Sequence, residues 1–530
     1  MAVPDSTTGK ASSDAVYVPL IWDVHRDSWP LPRYVSHFNE MLTPALKYGW
    51  PTIAQPSIYD SLPQALVASW SDGSIPVRTK AQVAKLERRD MPDELEDEVF
   101  AECRDADDAW VALGTRAFPK LASELSRHLT DIKKEYGKIA GVITWRANPS
   151  FREVTTKMGV PLIDLELSTI RRPQYRDTLA YFQLEPHFST DEFDRRLAAF
   201  KAEAPEVPVL TRKEILTLFL CDGDLHRLEA MDEYEEFEFG VALSDATGMT
   251  ERATGSTSSD VMLESVRRLV HDRSVLVRAH PEDPILPSTA LSHDVASNTA
   301  DYLMRCRRHV TGPSNVSFEA MLYGKTAYVL GPMPYAHVGI TSLDYIDESV
   351  VDLRVLNWIV FGFLVPYDIM LSKDYLDWRM SGPSETEIYQ RHFDYYMDKW
   401  GVSQSVLQLR GVERLQAFLR ARAQGRRHTP IGKARLRALQ DRVEHAATLE
   451  ANVALAQDND ALRAERATLA EGLIDLDERQ RELLQSFSWR ATAPLRSAER
   501  LGQQVLERGE RLLFKPLPQF DEPWNHRLDA

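Results

Sequence analysis

The sequence predicts an α/β protein with two consecutive Rossmann-like lobes, followed by a C-terminal α-helical coiled coil. Three observations carry this. Short apolar, β-rich runs alternate with helical stretches, the pattern of parallel strands covered on both faces. The series is interrupted by a polar helical segment and then starts again, as two joined lobes would. Beyond it, leucines recur every seven residues. The expected boundaries are 14–185 for the first lobe, 186–236 for a helical bridge, and 237–425 for the second lobe with closing helices. The coiled coil is expected over 432–488, and an amphipathic or irregular tail over 489–530.

Residues 1–13 are a Ser/Thr-rich lead. VYVPLIW (16–22) and PTIAQP (51–56) have strand patterns, and 80–136 is a charged stretch read as helical. IAGVITW (139–145), a helix, and GVPLIDLEL (159–167) complete strand–helix–strand. FGVALSD (239–245) opens the second series. It continues through the helix MLESVRRLV, the strand SVLVRAH, a helix and short strand near YLMRCRRHVTG, the helix FEAMLYG and the strand TAYVLG (326–331).

Composition excludes several classes. Of 530 residues, 43% are hydrophobic and 27% charged, enough to bury a core. A net charge of -16 argues against nucleic acid as a partner. Cys103, Cys221 and Cys306 have no metal-ligand spacing and fit a reducing compartment. No signal-peptide pattern opens the chain, and no apolar run approaches the ~20 residues of a membrane span. The chain is therefore expected to be cytoplasmic, with any membrane contact peripheral. GxGxxG and Walker patterns are missing, which removes the main support for dinucleotide and P-loop readings.

Leu455, Leu462, Leu469, Leu476 and Leu483 hold seven-residue phase, with Asn452, Asn459, Arg466, Leu473 and Gln480 between them. Polar residues at such a seam fix register and strand number, so a homo-oligomer is expected; an amphipathic helix packed on the lobes is the alternative. The Arg-rich tail with Trp489, Leu495, Leu501, Leu512 and Phe514 suits either an interfacial helix on anionic lipid or docking on protein.

Arg278, His280 and Pro281 end a predicted strand, where open α/β sheets bind ligands. Alone, RAHP also reads as a structural turn. TGPSNVSFEAMLYGKTAYVLG (311–331) predicts a strand end, a Gly-Pro turn and a helix starting near Ser314. Ser314 and Ser317 flank a first turn that can receive a phosphate, and Glu319 can accept hydrogen bonds from a ribose. A capping motif without ligand is the other reading.

In this order, RAHP, TGPSNVSFEAMLYGKTAYVLG and MPYAHVGIT resemble the nucleotide-binding lobe of the bacterial capsule-type β-Kdo (3-deoxy-manno-octulosonic acid) glycosyltransferases. VITWRANPSFREVTTKMGVPLIDLELSTIRR resembles the same family's N-terminal lobe. The resemblance covers roughly 139–341 and departs from the family pattern at SNVSFE, ELSTIR and HVG.

The resemblance implies a GT-B fold, a CMP-Kdo donor, no cofactor and no catalytic metal. His280 and the Ser314 turn would hold the CMP phosphate, Glu319 the ribose, and Arg278 or Arg171 the donor's carboxylate. Retention at the anomeric carbon can proceed by double displacement, which needs a carboxylate nucleophile and a proton shuttle. Asp245 is assigned as nucleophile and Glu166 as acid/base; Asp222, Asp224 and Asp232 are rivals for the nucleophile. Glu166 could instead cap a helix or pair with Arg171 or Arg172, and Asp245 could form a turn. Asp23, His25 and Arg26 follow the first strand, either on a surface loop or touching a glycan or glycolipid acceptor. The expected function is transfer of β-Kdo in surface-glycan synthesis. The alternatives are a GT-B transferase for another nucleotide sugar, or a non-catalytic coiled-coil scaffold with a degenerate transferase module.

Overall fold

A computed structural model describes residues 15–24, 34–64, 77–186, 189–231, 235–244, 248–280, 291–296 and 298–425. The expected coiled coil and tail lie outside these residues, as do His25, Arg26, Asp232, Asp245 and Pro281.

Six strands precede the middle of the chain: β1 (Val16–Ile21), β2 (Pro51–Ala54), β3 (Glu87–Asp90), β4 (Ile139–Trp145), β5 (Leu162–Leu167) and β6 (Leu179–Gln183). Five more follow: β7 (Phe237–Ala242), β8 (Val275–Arg278), β9 (Ser292–His293), β10 (Cys306–Thr311) and β11 (Thr326–Val329). The last is β12 (Leu364–Pro366). They form a seven-stranded sheet, ordered β12-β6-β5-β4-β1-β2-β3, and a five-stranded sheet, ordered β11-β10-β7-β8-β9. The expected class, two Rossmann-like α/β lobes, is the one observed.

The first sheet is parallel from β3 to β5, whereas β6 is reversed and pairs antiparallel with both β5 and β12 at the far side. Every residue of β1 is buried, as a strand covered on both faces requires. The second sheet is parallel throughout. Gly240 in β7 permits close packing there: a Cβ would sit 2.7 Å from the Tyr302 hydroxyl.

Two expectations change. The stretch 80–136 is not continuously helical, because the charged ERRD forms edge strand β3 before the helices Ala106–Thr115 and Pro119–Tyr136. An edge strand tolerates charges that a central strand would not. The chain from 237 onward also does not stay in the second lobe. It returns as β12, and Val365, Tyr367, Met370, Tyr375 and Leu376 enter the first lobe's core.

The bridge is a packed layer rather than a tether. Helices Asp191–Glu203, Arg212–Phe219 and Glu385–Trp400 share a core with the second lobe's sheet. Buried Arg196 meets Glu385 at 2.7 Å and the Gly362 carbonyl at 2.9 Å, so its charge is compensated where water is excluded. Across the lobes, Arg252 of helix Met249–Thr254 pairs with Asp108 of helix Ala106–Thr115. Among the described residues, no helix is long and apolar enough to cross a membrane.

Candidate active site

Each sheet reverses its strand order once, at β1/β4 and at β7/β10. Open α/β sheets form ligand crevices beyond the carboxyl ends of strands at such reversals. In the first lobe this point carries Trp22-Asp23 and Trp145-Arg146. In the second it carries Leu243-Ser244 and Gly312-Pro313-Ser314.

Glu166 lies on β5, next to this first reversal, with a half-buried side chain. Its Oε1 accepts the Leu167 N–H at 2.7 Å. Burial pushes the carboxyl up to about 7, against the opposing pull of that N–H and of Arg171 and Arg146; Asp164 adds to the rise. Asp164 is itself committed, accepting from Ala147 N at 2.9 Å and pairing with Arg152 at 2.8 Å. The ring of His37 packs on Trp145 with centroids 4.1 Å apart. Burial, helped by the charge of Arg171, lowers His37 to about 3, so it is neutral at physiological pH.

Arg146 holds a left-handed backbone, φ 61°, a conformation that non-glycine residues adopt at a cost and that clusters at functional sites. Its guanidinium lies 3.4 Å over the Trp110 ring, donates to the Trp110 carbonyl at 2.7 Å and reaches Asp23 Oδ1 at 3.4 Å. Gly114 makes room for it, since a Cβ there would lie 3.0 Å from the guanidinium. Asp23 is oriented in turn through its N–H, which donates to Gln55 at 3.0 Å; Gln55 donates to Glu96 at 2.9 Å.

The second lobe meets this region through the turn after β10. Asn315 donates to the Leu167 carbonyl at 3.1 Å and accepts from Tyr181 at 2.8 Å. The helix expected near Ser314 spans Val316–Leu322, with Asn315 at its N-cap. Buried Glu319 accepts from Thr169 at 2.8 Å and from Tyr175 at 2.6 Å. Burial raises its pKa; the two hydroxyls, then Arg171 and Arg278, oppose the rise. Beside it lies a cavity of about 80 Å³, whose lining includes Tyr175, Arg227, Asn298, Thr299 and Tyr323.

The two lobes thus bring Glu166, Arg171, Ser314 and Glu319 to one seam. Glu166 sits inside a strand, which removes its helix-cap alternative, and Arg172 pairs with Asp177 at 3.4 Å. Arg278 is committed within its own lobe, paired with buried Asp294 and bonded to the Ala296 carbonyl at 3.1 Å. Of the two arginines proposed for a donor carboxylate, Arg171 is the exposed one. Ser317 does not flank an open turn. It is fully buried, donates to the Ser314 carbonyl at 2.7 Å and lies 3.1 Å from the Tyr335 hydroxyl. The Ser314 hydroxyl receives Val316 N–H at 3.3 Å just before the Asn315 N-cap, whose side chain makes no capping bond, and Glu319 bonds Thr169 and Tyr175, so the Ser-with-later-Glu capping motif does not form. His280 is half-buried just beyond β8. Asp222 and Asp224 are engaged with Arg422 at 2.7 Å and Arg227 at 2.6 Å. Among the described residues, no group of three or more His, Cys, Asp or Glu could hold a metal ion.

Sequence reasoning passed over Arg146, Trp110, Gly114, Thr169 and Tyr175. Only Arg146 left a local signal, in the Trp-Arg-Ala-Asn that ends an apolar strand.

Residues 72–187 match the model of the glycosyltransferase 99 family N-terminal domain. That segment contains β3 to β6, Glu166 and Arg171. No curated protein matches the chain. Among solved structures, the Thermosulfurimonas dismutans KpsC β-Kdo 2,7 transferase is similar at 18% identity, TM-score 0.31, over 43% of this chain and 78% of that one. The β-Kdo 2,4 transferase of the same KpsC is similar at 14% identity, TM-score 0.26, over 38% and 72%. A glycosyltransferase from Rickettsia africae is similar at 10% identity, TM-score 0.27, over 73% and 99%. At these scores the structural likenesses carry no argument about activity.

Proposed function

We propose that the chain is a retaining glycosyltransferase that moves β-Kdo from CMP-β-Kdo to a glycan or glycolipid acceptor, without a catalytic metal. The observation that carries this reading is Glu166: a carboxyl held near neutrality, beside Arg171, inside the segment that matches the transferase family. A base of that pKa suits proton transfer near pH 7.

In the proposed reaction the Asp245 carboxylate attacks the anomeric carbon and the bond to the CMP phosphate breaks. CMP departs with the bonding pair, its charge met by His280 and the Ser314 turn. Glu166 then removes the proton from an acceptor hydroxyl. The oxygen of that hydroxyl attacks the anomeric carbon and frees Asp245, so two inversions give net retention. Arg171 pairs with the sugar's carboxylate, and Glu319 takes the ribose hydroxyls. The proposed coiled coil, 432–488, dimerises the chain or docks it near the membrane.

The test is incubation with CMP-Kdo, reading CMP release and, by intact mass, a covalent sugar on the protein. The reading expects release by wild type, no adduct with Asp245→Ala, and slow release with His280→Ala. If no CMP-sugar is cleaved, or both variants match wild type, it fails. Light scattering with and without residues beyond 430 tests the coiled coil; a monomer in both cases removes it.

A further inference from the structure

We infer that the recess between the ends of β1 and β4 recognises a hydroxyl of a neutral sugar in the acceptor; this rests on the transferase reading above. The recess sits at the first sheet's strand-order reversal, and Trp22, Asp23, Tyr34, Trp145, Arg146 and Asn148 line it.

Three of its donors lack partners among the described residues. Trp22, Trp145 and Asn148 are 2–3% exposed, yet the Nε1 atoms of both indoles and the Asn148 Nδ2 meet no hydrogen-bond acceptor among the described residues. Buried polar groups without partners are rare and call for a ligand or ordered solvent. The Asn148 orientation is fixed, because its Oδ1 accepts Phe151 N–H at 3.0 Å as a helix cap and the amide nitrogen is left as donor.

The charge balance names the ligand class. Among the described residues of the recess, Asp23 and Arg146 lie 3.4 Å apart and offset each other, so a carboxylate or phosphate would add a charge that these residues do not compensate. A hydroxyl needs no such compensation: its oxygen accepts from indole or amide N–H, and its proton goes to Asp23. With a volume of about 10 Å³, the recess takes one oxygen-sized group rather than a whole ring. The aromatic side chains around it offer apolar faces to the carbons next to that hydroxyl. Arg146 also acts on Glu166, which places the recess beside the group proposed to deprotonate the acceptor.

The experiment uses full-length protein labelled with 5-fluorotryptophan. Trp22→Phe and Trp145→Phe assign two of its 11 tryptophan resonances by their disappearance. Methyl β-glucoside, methyl β-galactoside and methyl β-N-acetylglucosaminide are then titrated, with acetate and phosphate as charged probes. The inference expects at least one neutral glycoside to shift both resonances with a single saturating midpoint. Asn148→Ser, which keeps the capping oxygen but loses the amide donors, should weaken that midpoint about two- to tenfold. If no glycoside moves either resonance, the recess holds only solvent and the inference falls; it falls equally if acetate or phosphate alone moves them. CMP release from CMP-Kdo without any glycoside tests the transferase reading separately, so the two failures are told apart.

Discussion

Glu166 and Glu319 are both carboxyls at the seam between the lobes, both raised by burial, and both under the influence of Arg171. They differ in partners. Glu319 is held by two side-chain hydroxyls from the opposite lobe, whereas the hydrogen bond at Glu166 comes from the backbone of the next residue. Burial alone therefore does not assign a role. A carboxyl bridged to the other lobe ties the two lobes together, while one with a single local bond near neutrality suits the proton exchange proposed above.

The largest expected effect tests that distinction at Glu166. Glu166→Gln should lower transfer by about 10²–10⁴, measured as product formed from CMP-Kdo and acceptor. Wild-type turnover should rise with pH towards about 7, because the base acts ionised, and the variant should lose this limb. Stability should respond with its own sign. The folded-state pKa, about 7, lies above the ordinary 4.5, so the stability Glu166 contributes is full below 4.5 and lost as pH rises through 7. Thermal melts of Glu166→Gln against wild type should diverge in the variant's favour across this window, by at most about 3 kcal/mol.

Next comes Glu319→Ala, which strips two interlobe hydroxyls of their acceptor and should cost about 1–3 kcal/mol in a melt. Its donor KM should rise about tenfold, the worth of one charge-assisted hydrogen bond; an unchanged KM would make Glu319 purely structural. Gly114→Ala should cost about 1 kcal/mol, because the Arg146 guanidinium must shift to admit a methyl. Smallest is Arg252→Ala. This pair joins the lobes at the surface, is worth under about 1 kcal/mol, and its effect should vanish in high salt.

The apolar strands of both lobes were legible because burial on two faces leaves a continuous hydrophobic run: β1, β4, β5, β7 and β11 fall where expected. β3 was not, because an edge strand reading Glu-Arg-Arg-Asp has the local pattern of a charged helix. β12 is three residues long and owes its place to pairing with β6, nearly two hundred positions earlier, which no local period reports. At the seam, Glu166, Arg171 and Glu319 were singled out as candidates because strand ends and family-like motifs mark them. Ser317 was misassigned because a hydroxyl facing inward and one facing a ligand have the same sequence signature. Tyr175 and Thr169 matter only through Glu319, and Trp22 only through its distance from Trp145, so neither pattern nor spacing exposes them.

The return of β12 has a consequence for synthesis on the ribosome. The first lobe cannot complete its sheet or core until residue 376 has emerged, long after its own last strand, β6, has been made. Until then the β6 edge and the cavity for Val365, Tyr367, Met370, Tyr375 and Leu376 are open to other chains. A fragment stopped at 187, where the family match ends, would stay in that immature state. The first lobe of this protein is thus closed late, by residues translated after the second lobe's sheet.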